Sequence, residues 1–176
     1  MNEKQYLELE KHYYELDKES EEAQTIKQQL ILHNKELVVR YPFLLPHNRW
    51  TGQVDEDYDY TYTELDAMPQ GWRIAFAEQM LEELREELSK FNYLDEYRII
   101  QIKEKYGSLR WYDGGIPINS KIYDIICKYE QLSERTCIVC GAPATKISLG
   151  WISPYCDDCA VKFEGHYKSI EEYFGK

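Results

Sequence analysis

The stretch CIVCGAPATKISLGWISPYCDDC, Cys137 to Cys159, holds two C-x-x-C pairs separated by fifteen residues. That spacing satisfies the four-cysteine zinc pattern in which two such pairs flank a linker of this length. Each pair makes a tight turn that aims two thiolates at one point. Two turns then supply the four soft ligands of a tetrahedral Zn2+ with bonds near ~2.3 Å. Gly141, directly after Cys140, lets the first turn close, and the residues between the pairs divide into two short strand-forming runs about Leu149-Gly150. The expectation is a zinc ribbon with Cys137, Cys140, Cys156 and Cys159 as ligands. Two disulfides or a redox dithiol are the alternatives. Both suit a reducing cytosol poorly, and a single redox pair leaves the other pair without a role.

A catalytic zinc keeps one position open for water, whereas four cysteines close the shell, so this metal is expected to be structural. Pro154 ahead of Cys156-x-x-Cys159 matches half of a zinc-deaminase signature. The other half, H-x-E, is missing: none of His12, His33, His47 or His166 has Glu two residues later. His166 is a spare ligand at most. Cys127, the fifth cysteine, stands alone in a helical run and reads as a small buried hydrophobe.

Upstream of the cysteines, INSKIYDIICKYEQLSERT reads as a helix with Ile122, Ile125, Ile126, Tyr129 and Leu132 on one face and Ser120 as N-cap. Before it, YRIIQIKEKYGSLRWYDGG alternates. Ile100 and Ile102, then Leu109 and Trp111, flank a turn at Lys105 to Ser108, which predicts a β-hairpin. Lys103, Lys105 and Arg110 interleave with Tyr106, Trp111 and Tyr112, a mixture that single-stranded nucleic acid binders use. Internal salt bridges within a structural sheet are the competing reading. Gly114-Gly115 fits neither phosphate-loop pattern.

Earlier still, MPQGWRIAFAEQMLEELREELSKF spaces Trp72, Phe76, Met80, Leu84 and Leu88 for a buried helical stripe, widened by Ile74 and Leu81. Glu78, Glu82, Glu83, Glu86 and Glu87 are expected to form its solvated face, because no E-x-x-H exists to make a carboxylate metal site. DYDYTYTEL alternates Tyr58, Tyr60 and Tyr62 with Asp59, Thr61 and Thr63, which predicts a strand with its rings on one side. With Asp55 and Asp57 it is either a sheet strand whose aromatic face covers the core while its acids face water, or an exposed surface that mimics nucleic acid or captures a basic partner. Residues 1–41 lack Gly and Pro, and Leu9, Leu16, Ala23, Leu30 and Leu37 recur every seven residues. A long helix is expected there, ended by Tyr41-Pro42. It either breaks near Ser20 and packs on its own core, or projects and pairs with a second copy as a homodimer arm. Ser20, Lys27 and Asn34 at the seam make the heptad poor.

Lys plus Arg of 21 against Asp plus Glu of 32 gives a net charge of −11, which favours a basic protein partner and disfavours nucleic acid or anionic lipid. No apolar run nears the ~20 residues of a membrane span, and the polar N-terminus has no signal-peptide layout, so a cytoplasmic protein is expected.

The hairpin and the cysteine region together carry a resemblance. The chain resembles small bacterial and bacteriophage or prophage proteins that share a K-E-K-[FY]-G-x-L-R-[FW]-Y hairpin, a following helix, C-x-x-C-G-x-P and G-W-[IV]-x-x-x-C-x-x-C-A. The likeness runs from Tyr41 to Ala160 and includes RYPFLLPHNRWTG and MPQGWRIAF. It implies the zinc site and a mobile-element setting, and no reaction. The resulting expectation is an α+β fold: a helical segment over 1–40, a core of small antiparallel sheet packed with helices over 41–132, the ribbon over 133–165 and a tail helix over 166–176. The expected role is a zinc-stabilised, non-enzymatic protein-binding module that modulates a host protein or defence system. Its candidate surface is Lys103, Lys105, Tyr106, Arg110, Trp111, Asp55, Asp57, Tyr58, Asp59 and Tyr60. The alternative is a nucleic-acid-binding accessory protein using the ribbon and the basic hairpin.

Overall fold

Asp17 and Ser20 decide the N-terminal region. In the computed structural model, which describes residues 1–48, 50–163 and 165–175, Asp17 Oδ1 accepts from the Glu19 N–H and the Ser20 hydroxyl donates to the Asp17 carbonyl at 2.7 Å. Such local bonds compete with helix continuation. Of the two expected arrangements the break near Ser20 is the one found: the long helix is divided into α1, Glu3–Glu15, and α2, Glu21–Arg40, with Ser20 as N-cap of the second. They fold back on each other and bury Tyr6, Ile26 and Leu30 between them. The apolar stripe that would have lined a projecting arm faces its own hairpin.

Helix α3 spans 70–90 and opens on an α turn, Gln70–Trp72, passes through a π segment, Arg73–Ala77, and continues as α from Glu78 to Lys90. Its predicted stripe of Trp72, Phe76, Met80, Leu84 and Leu88 lies in the main core. The acidic outer face departs from expectation, because several of its glutamates bind neighbouring elements. Glu82 accepts from Tyr41 Oη at 2.9 Å and pairs with Arg40 and Arg85. Glu83 receives both Lys128 Nζ and Tyr129 Oη. Glu87 is buried and accepts the Lys121 N–H at 2.8 Å, which caps the next helix in place of the predicted Ser120. Arg85, then Tyr41 and Arg40, hold the Glu82 carboxyl down at about 2, against the smaller opposing effect of burial. A depressed carboxylate stabilises the fold above its unfolded value and loses that contribution as pH falls through the folded one. Acid titration followed by circular dichroism should show Glu82→Gln removing part of the stability lost between pH 4.5 and about 2.

Strands β1, Ile99–Lys105, and β2, Ser108–Asp113, pair antiparallel as predicted. Tyr106 (φ 55°) and Gly107 (φ 76°) both adopt the left-handed region at the turn, the type I′ geometry that matches strand twist. An irregularity between Ile99 and Gln101 shifts the alternation, so Ile99 and Ile102 face the core and Ile100 is exposed. Trp111 also points inward, only 4% exposed, and its Nε1 donates to Tyr97 Oη at 3.0 Å. This removes Trp111 from the candidate binding surface. Helix α4, Ile122–Ser133, seals the free edge of β2: Ser133 Oγ accepts the Leu109 N–H and Glu130 Oε1 accepts the Trp111 N–H.

The predicted tyrosine strand is irregular instead. Asp59 Oδ1 accepts from both the Thr61 N–H and its hydroxyl, and Tyr60 turns to φ 63°, so the chain bends where the alternation calls for extension. Tyr58 and Tyr60 rings sit 4.7 Å apart, and Asn34 Nδ2 fixes the bend through the Tyr60 carbonyl at 2.9 Å. The C-terminal region forms a second antiparallel sheet in the order β4-β3-β5, with β3 at Lys146–Ser148, β4 at Pro154–Tyr155 and β5 at Tyr167–Ser169. Helices α5, Asp157–Ala160, and α6, Ile170–Phe174, complete it. The expected tail helix thus begins later, and its first residues pair with β3. The architecture is α+β with two small antiparallel sheets, and no helix among the described residues is long and apolar enough to cross a membrane.

Candidate metal centre

Two backbone knuckles build the site. Cys137–Cys140 closes through Gly141 N–H to the Cys137 carbonyl at 3.0 Å, with Gly141 at φ 79° as its position requires. Cys156 precedes α5, where the Ala160 N–H bonds its carbonyl at 2.9 Å and Cys159 is carried inward. The two knuckles meet because Ile138 N–H donates to the Pro154 carbonyl at 2.9 Å and Thr145 N–H to the Tyr155 carbonyl at 2.9 Å. The four sulfurs consequently lie within 4.8 Å of one another. Bonds of ~2.3 Å to a central ion put tetrahedral corners about 3.8 Å apart. Cys140 and Cys156 sulfurs, 3.6 Å apart, match that edge and are far beyond a disulfide bond.

The crowded thiols differ in how tightly they hold their protons. Burial pushes the Cys137 thiol up, but backbone N–H groups of Cys156, Cys140 and Val139 outweigh it and hold the thiol below its usual range. Burial raises Cys159 strongly, and the sulfurs of Cys156, Cys140 and Cys137 raise it further. Thiols this crowded favour a shared cation, since protons and metal compete for the same sulfurs. Cys137 and Cys159 are buried, Cys156 is half-buried and Cys140 is exposed, so the cluster is closed below and open to solvent along one edge.

The first knuckle is seated on the start of α3. Gly71 N–H donates to the Ile138 carbonyl at 2.9 Å and Trp72 Nε1 to the Thr136 carbonyl at 3.0 Å. A Cβ on Gly71 would sit 2.2 Å from the Cys137 carbonyl oxygen and 2.6 Å from the Ile138 carbonyl carbon. On the other side, a Cβ on Gly141 would meet the Gly71 carbonyl oxygen at 2.6 Å. Two glycines let backbone touch backbone, and the π segment brings Ala75 against the same spot. Gly71→Ala should therefore cost about 1–3 kcal/mol or more in a denaturant titration, since both close neighbours are backbone and cannot swing away as a side chain could. The cost should fall on docking: metal binding by the ribbon should persist. Sequence reading left Gly71 unremarked. A glycine inside a helical pattern was its only signal.

Compared with known proteins, the chain matches no family model, no curated protein and no solved structure.

The remaining candidate residues separate into distinct places. Lys103 and Arg110 are half-buried cross-strand neighbours on the outer face of the hairpin, and Lys105 and Tyr106 stand exposed at its turn. Asp55, Asp57 and Asp59 are exposed in the irregular segment, with Tyr58 and Tyr60 half-buried beside them. Trp151, which the sequence places between the cysteine pairs and in the G-W motif without singling it out for binding, is 80% exposed at the tip of the β3–β4 turn, beside Tyr106 at 72%. The two tips abut: a Cβ on Gly107 would lie 3.2 Å from Ile152 Cγ2. Between them runs a groove of about 320 Å3 lined by Glu104, Lys105, Tyr106, Gly150, Trp151 and Ile152.

Proposed function

We propose that the chain is a zinc-stabilised protein-binding module whose recognition surface is this pair of adjoining tips. The observation that carries the reading is the exposure of Trp151 and Tyr106 on either side of one groove. Large aromatic side chains anchor protein interfaces, and here they stand on short turns that the clasp and the type I′ turn make rigid. Zn2+ is the metal proposed because an all-thiolate tetrahedral set suits it and leaves no position for a substrate. A cytoplasmic setting fits reduced cysteines. The mobile-element setting and action on a host protein or defence system rest on the resemblance of the hairpin and cysteine motifs.

Affinity capture from the native host's lysate tests the reading, using the wild type and a Tyr106→Ala/Trp151→Ala variant shown to be folded and metal-loaded. Wild type should retain a specific protein at physiological salt, and the variant should lose it, because each anchor of this kind contributes about 2 kcal/mol or more. Equal recovery by both proteins would overturn the assignment of the surface.

A further inference from the structure

The chemistry of the partner can be narrowed from the charges on the outer face of the hairpin that carries one wall of the groove. We propose that the adjoining tips take an extended acidic segment of a partner protein that carries one apolar or aromatic anchor; this rests on the protein-binding reading above. Lys103 lies directly across from Arg110 in the β1–β2 register. Like charges placed directly opposite each other destabilise a strand pair, so the sheet gains nothing from this arrangement. Lys103 Nζ bonds only Gln101 Oε1, at 2.6 Å, and lies 5.0 Å above the Tyr112 ring, while Lys105 Nζ lies 5.5 Å above Tyr106. Among the described residues, no carboxylate forms an ion pair with either lysine.

The nearby acids are engaged by backbone. Glu104 Oε1 accepts the Gly107 N–H at 2.6 Å, and Glu130 accepts the Trp111 N–H at 3.2 Å while standing 3.8 Å from Arg110. What the outer face of the hairpin offers an incoming chain is thus Lys103, Lys105 and part of Arg110. Of these Lys105 also lines the aromatic-walled groove, with Glu104, so an anchor seated there leaves the rest of the segment to run along the outer face toward Lys103. The net charge of −11 opposes an acidic partner at long range. At physiological salt charges are screened over about 8 Å, so the docked segment answers to the local lysines while the distant acids mainly slow encounter. Nucleic acid fits less well, since three basic groups allow few phosphate contacts and the groove wall carries Glu104.

The test is an NMR titration of the metal-loaded protein with four probes. They are a short peptide of glutamates around a Leu-Phe pair, the same peptide with lysine for glutamate, the same with serine for Leu-Phe, and an oligothymidylate of equal length. The glutamate peptide should bind about tenfold more tightly than the other three, shifting the Trp151 indole signal and the Lys103 and Tyr106 amides. Lys103→Glu/Lys105→Glu should abolish that preference without lowering the unfolding midpoint, since a glutamate opposite Arg110 replaces a like-charge pair with an opposite one. The proposal is overturned if the lysine peptide binds as well, if oligothymidylate binds best, or if no probe moves these signals. Capture from lysate that depends on Tyr106 and Trp151 would still stand in each of those cases, so the two readings fail separately.

Discussion

Replacing Cys140 with alanine is expected to strip the metal and unfold the ribbon while leaving the α+β core intact. Cys140 is exposed, so its truncation opens no cavity, and any effect reports on the metal. The effect should be large because the region from Thr136 to Phe174 has little else to hold it. Its buried apolar residues are few, chiefly Ile147, Ala160 and Ile170 besides the cysteines, and none of these belongs to either of the two apolar clusters. So small a unit needs a staple, and a structural zinc supplies about 10–16 kcal/mol in peptides of comparable size. Loss of one thiolate should therefore lower ribbon stability by several kcal/mol. Metal analysis with amide exchange checks this, and Cys127→Ala, remote from the cluster, should keep both metal and protection.

Arg73→Met should be the most destabilising substitution outside the ribbon. Arg73 is 3% exposed and holds Glu3 of α1 at 2.8 Å and Asp66 at 2.7 Å, so it fastens the N-terminal helical hairpin to α3. Its guanidinium also lies 5.1 Å from the Tyr6 ring. Removing the cation leaves two carboxylates without their partner, a defect of about 3–5 kcal/mol. The pH dependence gives a second readout. Burial pushes the Glu3 carboxyl up, but His33 and Arg73 outweigh it and hold it below its usual 4.5. The wild type therefore loses this contribution as pH falls below 4.5, whereas in the variant a buried Glu3 left with His33 alone takes up its proton more readily. The stability gap measured by urea titration should narrow in acid. A gap that stays constant from pH 7 to about pH 3, across the window below 4.5, would show that Arg73 acts through packing alone.

Features set by neighbours in sequence were legible from it. The cysteine spacing, the Tyr106-Gly107 turn and the buried stripe of α3 each follow from local geometry, and each stands in the structure. The break near Ser20 was one of two readings the pattern allowed, and the Asp17–Ser20 bonds select it. Other features set by side-chain bonds to backbone were not legible. Asp59 bends a segment whose alternation asks for a strand. Trp111 has the right spacing for either face of the hairpin, and the irregularity at Ile99 to Gln101 and the Tyr97 hydroxyl place it inside. Glu87 looks like any other surface glutamate until α4 arrives to be capped. The seat of the ribbon was the least visible, because Gly71 and Gly141 are far apart in sequence and matter only where two backbones touch.

That seat also makes the clasp testable without a known partner. Amide exchange on the metal-loaded protein, before and after removal of the ion with a strong chelator, addresses it most directly. The account predicts that the Ile138 and Thr145 amides, which join the two knuckles, and the Gly71 amide, which docks them on α3, lose protection together. The β1–β2 amides should keep theirs, and a stoichiometric addition of Zn2+ should restore the rest. Protection that survives unchanged in metal-free, reduced protein would contradict the claim that the four cysteines hold the fold through a metal.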